Sequence, residues 1–220
     1  MAKKLSTVAP TLASVELVDL TDSDGALLES HENYDGERFA SADLSQRDLA
    51  GATFSECEFL DLTAHGTDFR AAAFVDTRFE RVDAPIFKAA RSRFRNVDMD
   101  GSRLGSAEFY EANWQSVHIR NSKLGFMNFR GAELQDVLFT NCTIDELDFG
   151  GAKANRVSFV NTTVNSLELT RSTLQHVDLR DLDLRGLSGF EGLKGATMNS
   201  FQIGELAPLF ARHLGIKVED

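Results

Sequence analysis

Cysteine is scarce in this chain of 220 residues, which holds only Cys57 and Cys142. Two thiols 85 residues apart in sequence make no disulfide framework, and even a single bridge would need Cα atoms within about 7 Å. Both read instead as small buried hydrophobes of a reducing compartment. Long apolar runs are missing as well. No stretch reaches the roughly 18 residues of a membrane span. Ser6, Thr7, Pro10 and Thr11 break up the segment after Lys3 and Lys4, so no secretory hydrophobic region forms. The expectation is a cytoplasmic protein that does not enter a membrane.

Signatures of chemistry are absent too. His31, His65, His118, His176 and His213 are scattered, with no cysteine or carboxylate at ligand spacing. There is no GxGxxG and no P-loop, and Gly101, Gly150 and Gly151 read as corner glycines. Asp145, Glu146 and Asp148 make an acidic trio, but they point in different directions and read as a solvated turn. No enzymatic activity, no metal and no cofactor are expected.

The net charge of −11 is unevenly placed. Residues 1–37 carry eight acids and two lysines, whereas residues 38–187 carry 22 acids against 18 bases, a net of only −4. More than half of the acidity therefore lies in a leader.

What the chain does have is a five-residue period. From Phe39 in steps of five to Leu184 there are 30 centres, of which 26 are large and apolar and four are alanine: Ala64, Ala84, Ala89 and Ala154. Neither a helix at 3.6 nor a strand at 2.0 has this period. One side chain in five points at a buried axis, so the chain turns a corner every few residues and builds a solenoid. The position two before each centre is Ala, Ser, Thr, Cys or Val in 22 of 30 cases and supplies a second inward column. Where the centre shrinks to alanine this neighbour grows, as with Leu62 before Ala64 and Phe87 before Ala89. Volume exchange of this kind is what a close-packed interior demands. Stacked phenylalanines (Phe39, Phe59 and Phe79, then Phe139 and Phe159) dominate the expected core, each worth on the order of 1.5–3 kcal/mol.

Ala42-Asp43-Leu44-Ser45-Gln46 and Gly131-Ala132-Glu133-Leu134-Gln135 carry a resemblance to the pentapeptide repeat proteins, whose consensus is A(D/N)LXX. The resemblance implies an all-β solenoid, a right-handed quadrilateral β-helix of about 7.5 coils of four pentapeptides, closed by a short C-terminal helical cap. A 20-residue sorting agrees with four faces: Leu44, Ala64, Ala84, Leu104, Leu124, Ile144, Val164 and Leu184 share one face without a phenylalanine, while the other faces hold 12. The expected domains are an acidic leader over 1–36, the β-helix over 37–198 and the cap over 199–220. Val15–Leu20 reads as a short strand over the first coil's mouth, and 21–36 as a mobile connection. Glu37 and Arg47, charged at inward positions of the first coil, pair with each other or with the leader, or swing to solvent. Ser200 reads as the cap helix's N-cap, Gly215 as its C-cap, and Pro208 as a kink or break.

Three surfaces are candidate binding sites. Asp48, Asp68, Glu108, Asp148 and Glu168 recur at coil spacing as an acidic stripe, diluted by Arg70, Arg91, Arg130 and Arg171 on the same face. Ile86 and Phe126 form an apolar patch. Ile203, Leu206, Leu209, Phe210 and Leu214 form the face of the cap helix, which closes the core and offers a homodimer contact across a two-fold axis.

Two functions compete. The first is a non-catalytic scaffold that binds an unidentified protein partner through Ile86 and Phe126 or through the leader. The alternative rests on similarity to the Qnr- and MfpA-type members of the family, which implies a rod-shaped dimer that mimics DNA, binds DNA gyrase or another type II topoisomerase and gives fluoroquinolone resistance. It implies no direct nucleic-acid binding. Charge density weighs against strong mimicry. Duplex DNA carries about one charge per 1.7 Å, hence roughly 20 over a column about 36 Å long, whereas residues 38–187 net −4.

Overall fold

The structure, a computed structural model, describes residues 6–219. Strands pair in parallel with their equivalents 20 residues on: Phe54 with Phe74, Phe74 with Phe94, Phe94 with Trp114, and Trp114 with Leu134. A coil is thus four pentapeptides. The result is a parallel β-solenoid of about 9 turns with one C-terminal helix, Ser200–His213.

The five-residue period works because two side chains in each pentapeptide go inside. All the centres from Phe39 to Leu179 are buried, and Leu184 is half-buried at the last coil. Phe87 takes the space left by Ala89, with its ring 5.3 Å from Phe69 and 5.8 Å from Phe109. The aromatic columns stack at coil spacing: Phe39–Phe59–Phe79 at 5.1 and 5.0 Å, and Phe139–Phe159 at 5.1 Å. Cys57 and Cys142 are both free and buried, and burial pushes the Cys57 thiol up to about 11.

Corners sit two residues after each centre, where the backbone adopts a left-handed conformation even without glycine. Asp61, Asp76, Asn96, Ser116, Asn121, Asp136 and Asn141 all do so, with φ between 49° and 57°. Each such residue costs roughly 1–2 kcal/mol, which the repeated ladder offsets. Asn and Asp tolerate the conformation best. One corner departs from the rule. From Ile86 onward its residues (Ile86, Ser106, Phe126, Glu146 and Ser166) are not left-handed, and the strands Asp83–Lys88, Arg103–Glu108 and Lys123–Asn128 run straight through it. A β-branched isoleucine disfavours the left-handed region strongly enough to explain the change at Ile86.

The solenoid is longer than the count of 7.5 coils because the leader folds into it. Tyr34 lies one period before Phe39 and stacks 5.2 Å from Phe54, and Leu28 is buried in the core. Residues 21–36 are not an open connection: they form the short strands Thr21–Asp22 and Asn33–Asp35 and a 3-10 turn over Gly25–Leu27. The turn is capped by Asp24, whose carboxylate accepts from Ala26 N at 2.9 Å. Arg47 pairs with this leader, donating to the carbonyls of Ala26 at 2.9 Å and of Leu28. Among the described residues Glu37 makes no ion pair; the carboxylate that pairs with the neighbouring Arg38 at 2.6 Å is Glu58.

Val15–Leu20 is not a strand across the mouth. Residues 6–18 instead lie outside the coils in irregular, extended form. At the other end the helix starts one residue earlier than expected. Asn199 is its N-cap, and a reciprocal pair with Gln202 closes a capping box. The helix is not broken at Pro208; it continues to His213. The amide that Pro208 lacks would have bonded the carbonyl of Gly204, and both residues are exposed, where water satisfies that carbonyl. Gly215, at φ 71°, ends it in the left-handed conformation expected of a C-cap glycine.

Candidate interaction surfaces

The acidic stripe is a real column. Bridges align Asp48 with Asp68 and Asp68 with Lys88, and the ladder continues through Glu108, Asn128, Asp148 and Glu168. Its position one before the centre gives most of these side chains a second task. Asp48 accepts from Ala50 N at 3.0 Å, Asp68 from Arg70 N at 3.0 Å, Asn128 from Arg130 N at 3.1 Å, and Asp148 from Gly150 N at 2.8 Å. Each bond closes an Asx turn at the corner that follows. Glu168 reaches Thr170 N at 2.5 Å in the same way.

Much of the stripe's charge is therefore spent locally. Asp148 is only 3% exposed and holds Arg130 at 2.6 Å. Asp68 holds Arg70 at 2.6 Å. Burial works to raise the Asp68 carboxyl, but the Arg70 bonds outweigh it and leave it below the usual carboxylate range. At Glu168 burial likewise works to raise the carboxyl, but the bonds from Ser188 and Thr170 outweigh it and leave it lowered. Asp48 remains exposed and Glu108 half-buried. The spacing was legible in the sequence; the turn-closing bonds were not.

The apolar patch sits on the corner that lacks left-handed turns. Ile86, Ser106 and Phe126 align in one column, with Ile86 39% exposed and Phe126 half-buried. Beside them Pro85, Gly105 and Gly125 stack so closely that a Cβ on Gly125 would lie 2.1 Å from the Gly105 carbonyl oxygen. Pro85, Gly105 and Gly125 consequently add no long side chain beside Ile86 and Phe126. The patch is bordered by Arg103 and Lys123, neighbours in the next column.

The cap-helix residues divide into two sets. Leu206 is buried at 5% exposure, Leu209 and Phe210 are half-buried, and Phe210 packs its ring 5.4 Å from Phe190. Ile203 and Leu214 point away and are exposed, as are Phe201, Ile216 and Val218. The closure itself is polar. Gln202 donates to the carbonyls of Leu179 and Leu182 at 2.5 and 2.9 Å, and Asn199 donates to the Arg180 carbonyl at 2.9 Å. These side chains satisfy the open edge of the last coil, a need that an apolar periodicity does not reveal.

A fourth surface was not anticipated. Residues 7–15 run along one corner from the last coil towards the first. Thr7 meets Thr197 through their hydroxyls, and Val8 N donates to His176 Nδ1 at 3.4 Å. Thr11 N donates to Asp136 at 2.9 Å and Ala13 N to Ser116 Oγ at 2.9 Å. Asn96 and Arg78 then donate to the carbonyls of Ser14 and Val15 at 3.4 and 3.0 Å. The partners His176, Asp136, Ser116 and Asn96 are all left-handed corner residues of one column.

Among the described residues no group of His, Cys, Asp and Glu is arranged to hold a metal ion, and no helix is long and apolar enough to cross a membrane. The clefts lie outside the core. One of about 370 Å³, lined by Arg180, Leu182, Phe201 and Gln202, opens between the last coil and the cap helix.

No curated protein matches the chain. Among solved structures, QnrB1, described as a plasmid-mediated fluoroquinolone resistance protein, is 20% identical over 89% of this chain and 95% of its own, with a TM-score of 0.45. HetL, a pentapeptide repeat protein involved in heterocyst differentiation regulation from the cyanobacterium Nostoc, is 17% identical over 80% and 94%, with a TM-score of 0.22. The family model for pentapeptide repeats matches residues 38–74 with eight copies, and the five-residue register seen there holds on to Leu184. Residues 38–74 are thus similar to the pentapeptide repeats, and the solenoid extends their five-residue register beyond that segment.

Proposed function

We propose that this protein is a non-catalytic rod that acts by binding another protein through its outer columns. The observation that carries the reading is the filled interior: the centres are buried from Phe39 to Leu179 and the second inward column from Ala52 to Leu167, which leaves chemistry and recognition to the surface. On that surface the column of Ile86, Ser106 and Phe126 is the contact of first choice, because burying an apolar patch drives association and the adjoining Pro85, Gly105 and Gly125 bring no charge to desolvate. The exposed apolar residues of the cap helix, Phe201, Ile203 and Leu214, fit a homodimer contact, which light scattering reads directly. A photo-crosslinking residue placed at Ile86 or Phe126 is expected to give discrete adducts in cells that carry the protein, and one placed at Asn141 is not. Adducts from neither patch position would overturn this choice of surface.

The second reading is a DNA mimic that binds DNA gyrase or another topoisomerase through Asp48, Asp68, Glu108, Asp148 and Glu168. The aligned column at coil spacing favours it. The turn-closing bonds and the Arg70 and Arg130 pairs weaken it. Titrating gyrase supercoiling with the protein, with and without a fluoroquinolone, separates the two. Inhibition or protection that disappears when Asp48 and Glu108 are neutralised supports the mimic, and no effect at micromolar protein discards it.

A further inference from the structure

The corner column His176, Asp136, Ser116 and Asn96 grips residues 7–15 by their main chain, one contact after another down the rod. Four coils separate His176 from Asn96, about 19 Å at the usual strand spacing. Val8 to Ser14 spans six residues, about 20 Å when extended. Rise and reach agree, so a fully extended segment keeps step with the coils. The grip reads almost no side chains. Donors Thr11 N and Ala13 N and acceptors Ser14 O and Val15 O do the bonding, while the half-buried Leu12 and Val15 line a small cleft with Val97 and His118. Residues 6–18 add no strand to any sheet, so no ladder bonds would have to break for them to leave.

We propose that this corner is a peptide-binding track, occupied at rest by the chain's own leader, and that its ligand class is an extended segment of another polypeptide that is uncharged over the gripped stretch and carries two aliphatic side chains three residues apart. The tethered leader sits at an effective concentration in the millimolar range. A free segment at micromolar concentration therefore enters only when the leader lets go.

The test uses the full chain carrying Thr11→Pro and Ala13→Pro, which removes both donors from exposed residues outside the coils. The probe is a fluorescein-labelled synthetic peptide copying residues 6–18, read by anisotropy. Release of the leader is read in parallel by a Glu-specific protease cutting after the exposed Glu16. The expected result is faster cleavage at Glu16 in the variant than in the parent, with saturable peptide binding at least ten-fold tighter. A peptide carrying the same two prolines is expected not to bind. A second variant, Ser116→Ala with Asn96→Ala, alters the track instead of the leader and should release the leader without restoring binding. Cleavage unchanged in the double-proline variant would overturn the proposal, as would a released leader with no peptide binding.

Discussion

At the scale of the residue, the fold is a set of side chains whose size is fixed by two neighbours, one coil above and one below. Trp114 shows how tight the fit is. Its ring lies 5.0 Å from Phe94, one coil before it in its own column, and 4.8 Å from both Phe109 and Phe129 of a neighbouring column. It is 1% exposed, and its Nε1–H has no hydrogen-bond partner among the described residues. An unmet buried donor costs about 1–3 kcal/mol, which partly offsets the packing of the larger ring. Trp114→Phe is therefore expected to cost little in a denaturant melt. Trp114→Ala, which leaves a cavity, should cost about 3–5 kcal/mol. Equal losses in the two variants would contradict this reading of the column. Position-by-position identity of the core was legible in the sequence because the period names each inward side chain. The double use of Asp68 and Asp148 was not, since an outward acid looks the same whether it closes a turn or faces a partner.

At the scale of the element, two glycines with opposite environments test how the coils and the cap are built. Gly125 lies against the Gly105 carbonyl, so Gly125→Ala forces neighbouring coils apart. Gly204 lies in the cap helix with no atom near its missing Cβ. Glycine costs about 1 kcal/mol in a helix relative to alanine, so Gly204→Ala should raise the melting temperature while Gly125→Ala lowers it. The same sign for both would show that the straight corner at Ile86, Ser106 and Phe126 is not close-packed. The ends of the rod were the least legible elements. A strand over the first mouth and a break at Pro208 both follow from local rules. Tyr34 stacking on Phe54 and Gln202 bonding the last coil's carbonyls instead satisfy groups far away in sequence.

At the scale of the whole molecule, charge binds the coils to each other more than it projects outward. Arg81 holds Asp61 at 2.6 Å, Arg156 holds Asp136 at 2.6 Å, and Arg130 holds Asp148 at 2.6 Å, each pair joining neighbouring coils. Hydrogen bonding from Arg81 lowers Asp61; at Asp136 burial works upward but Arg156, Thr11 N and Gln135 prevail and lower it. Carboxylates lowered on folding add stability that is complete above the unfolded value near 3.9 and is lost as pH falls through the folded values. The melting temperature should thus be insensitive to these groups above about pH 5 and drop below about pH 4, with Thr11 leaving Asp136 in the same window. The net charge of the chain hid this, because the sequence shows the sum of charges and not which Arg faces which Asp one coil away. A filled rod clasped along its length by its own leader is tested most directly by hydrogen exchange, resolved residue by residue in the full chain. The prediction is slow exchange of the ladder amides in every coil from Phe54 to Val177, together with measurable protection at Thr11 and Ala13. Exchange of residues 6–18 at the rate of a free peptide, or an unprotected gap among the coils, would contradict it.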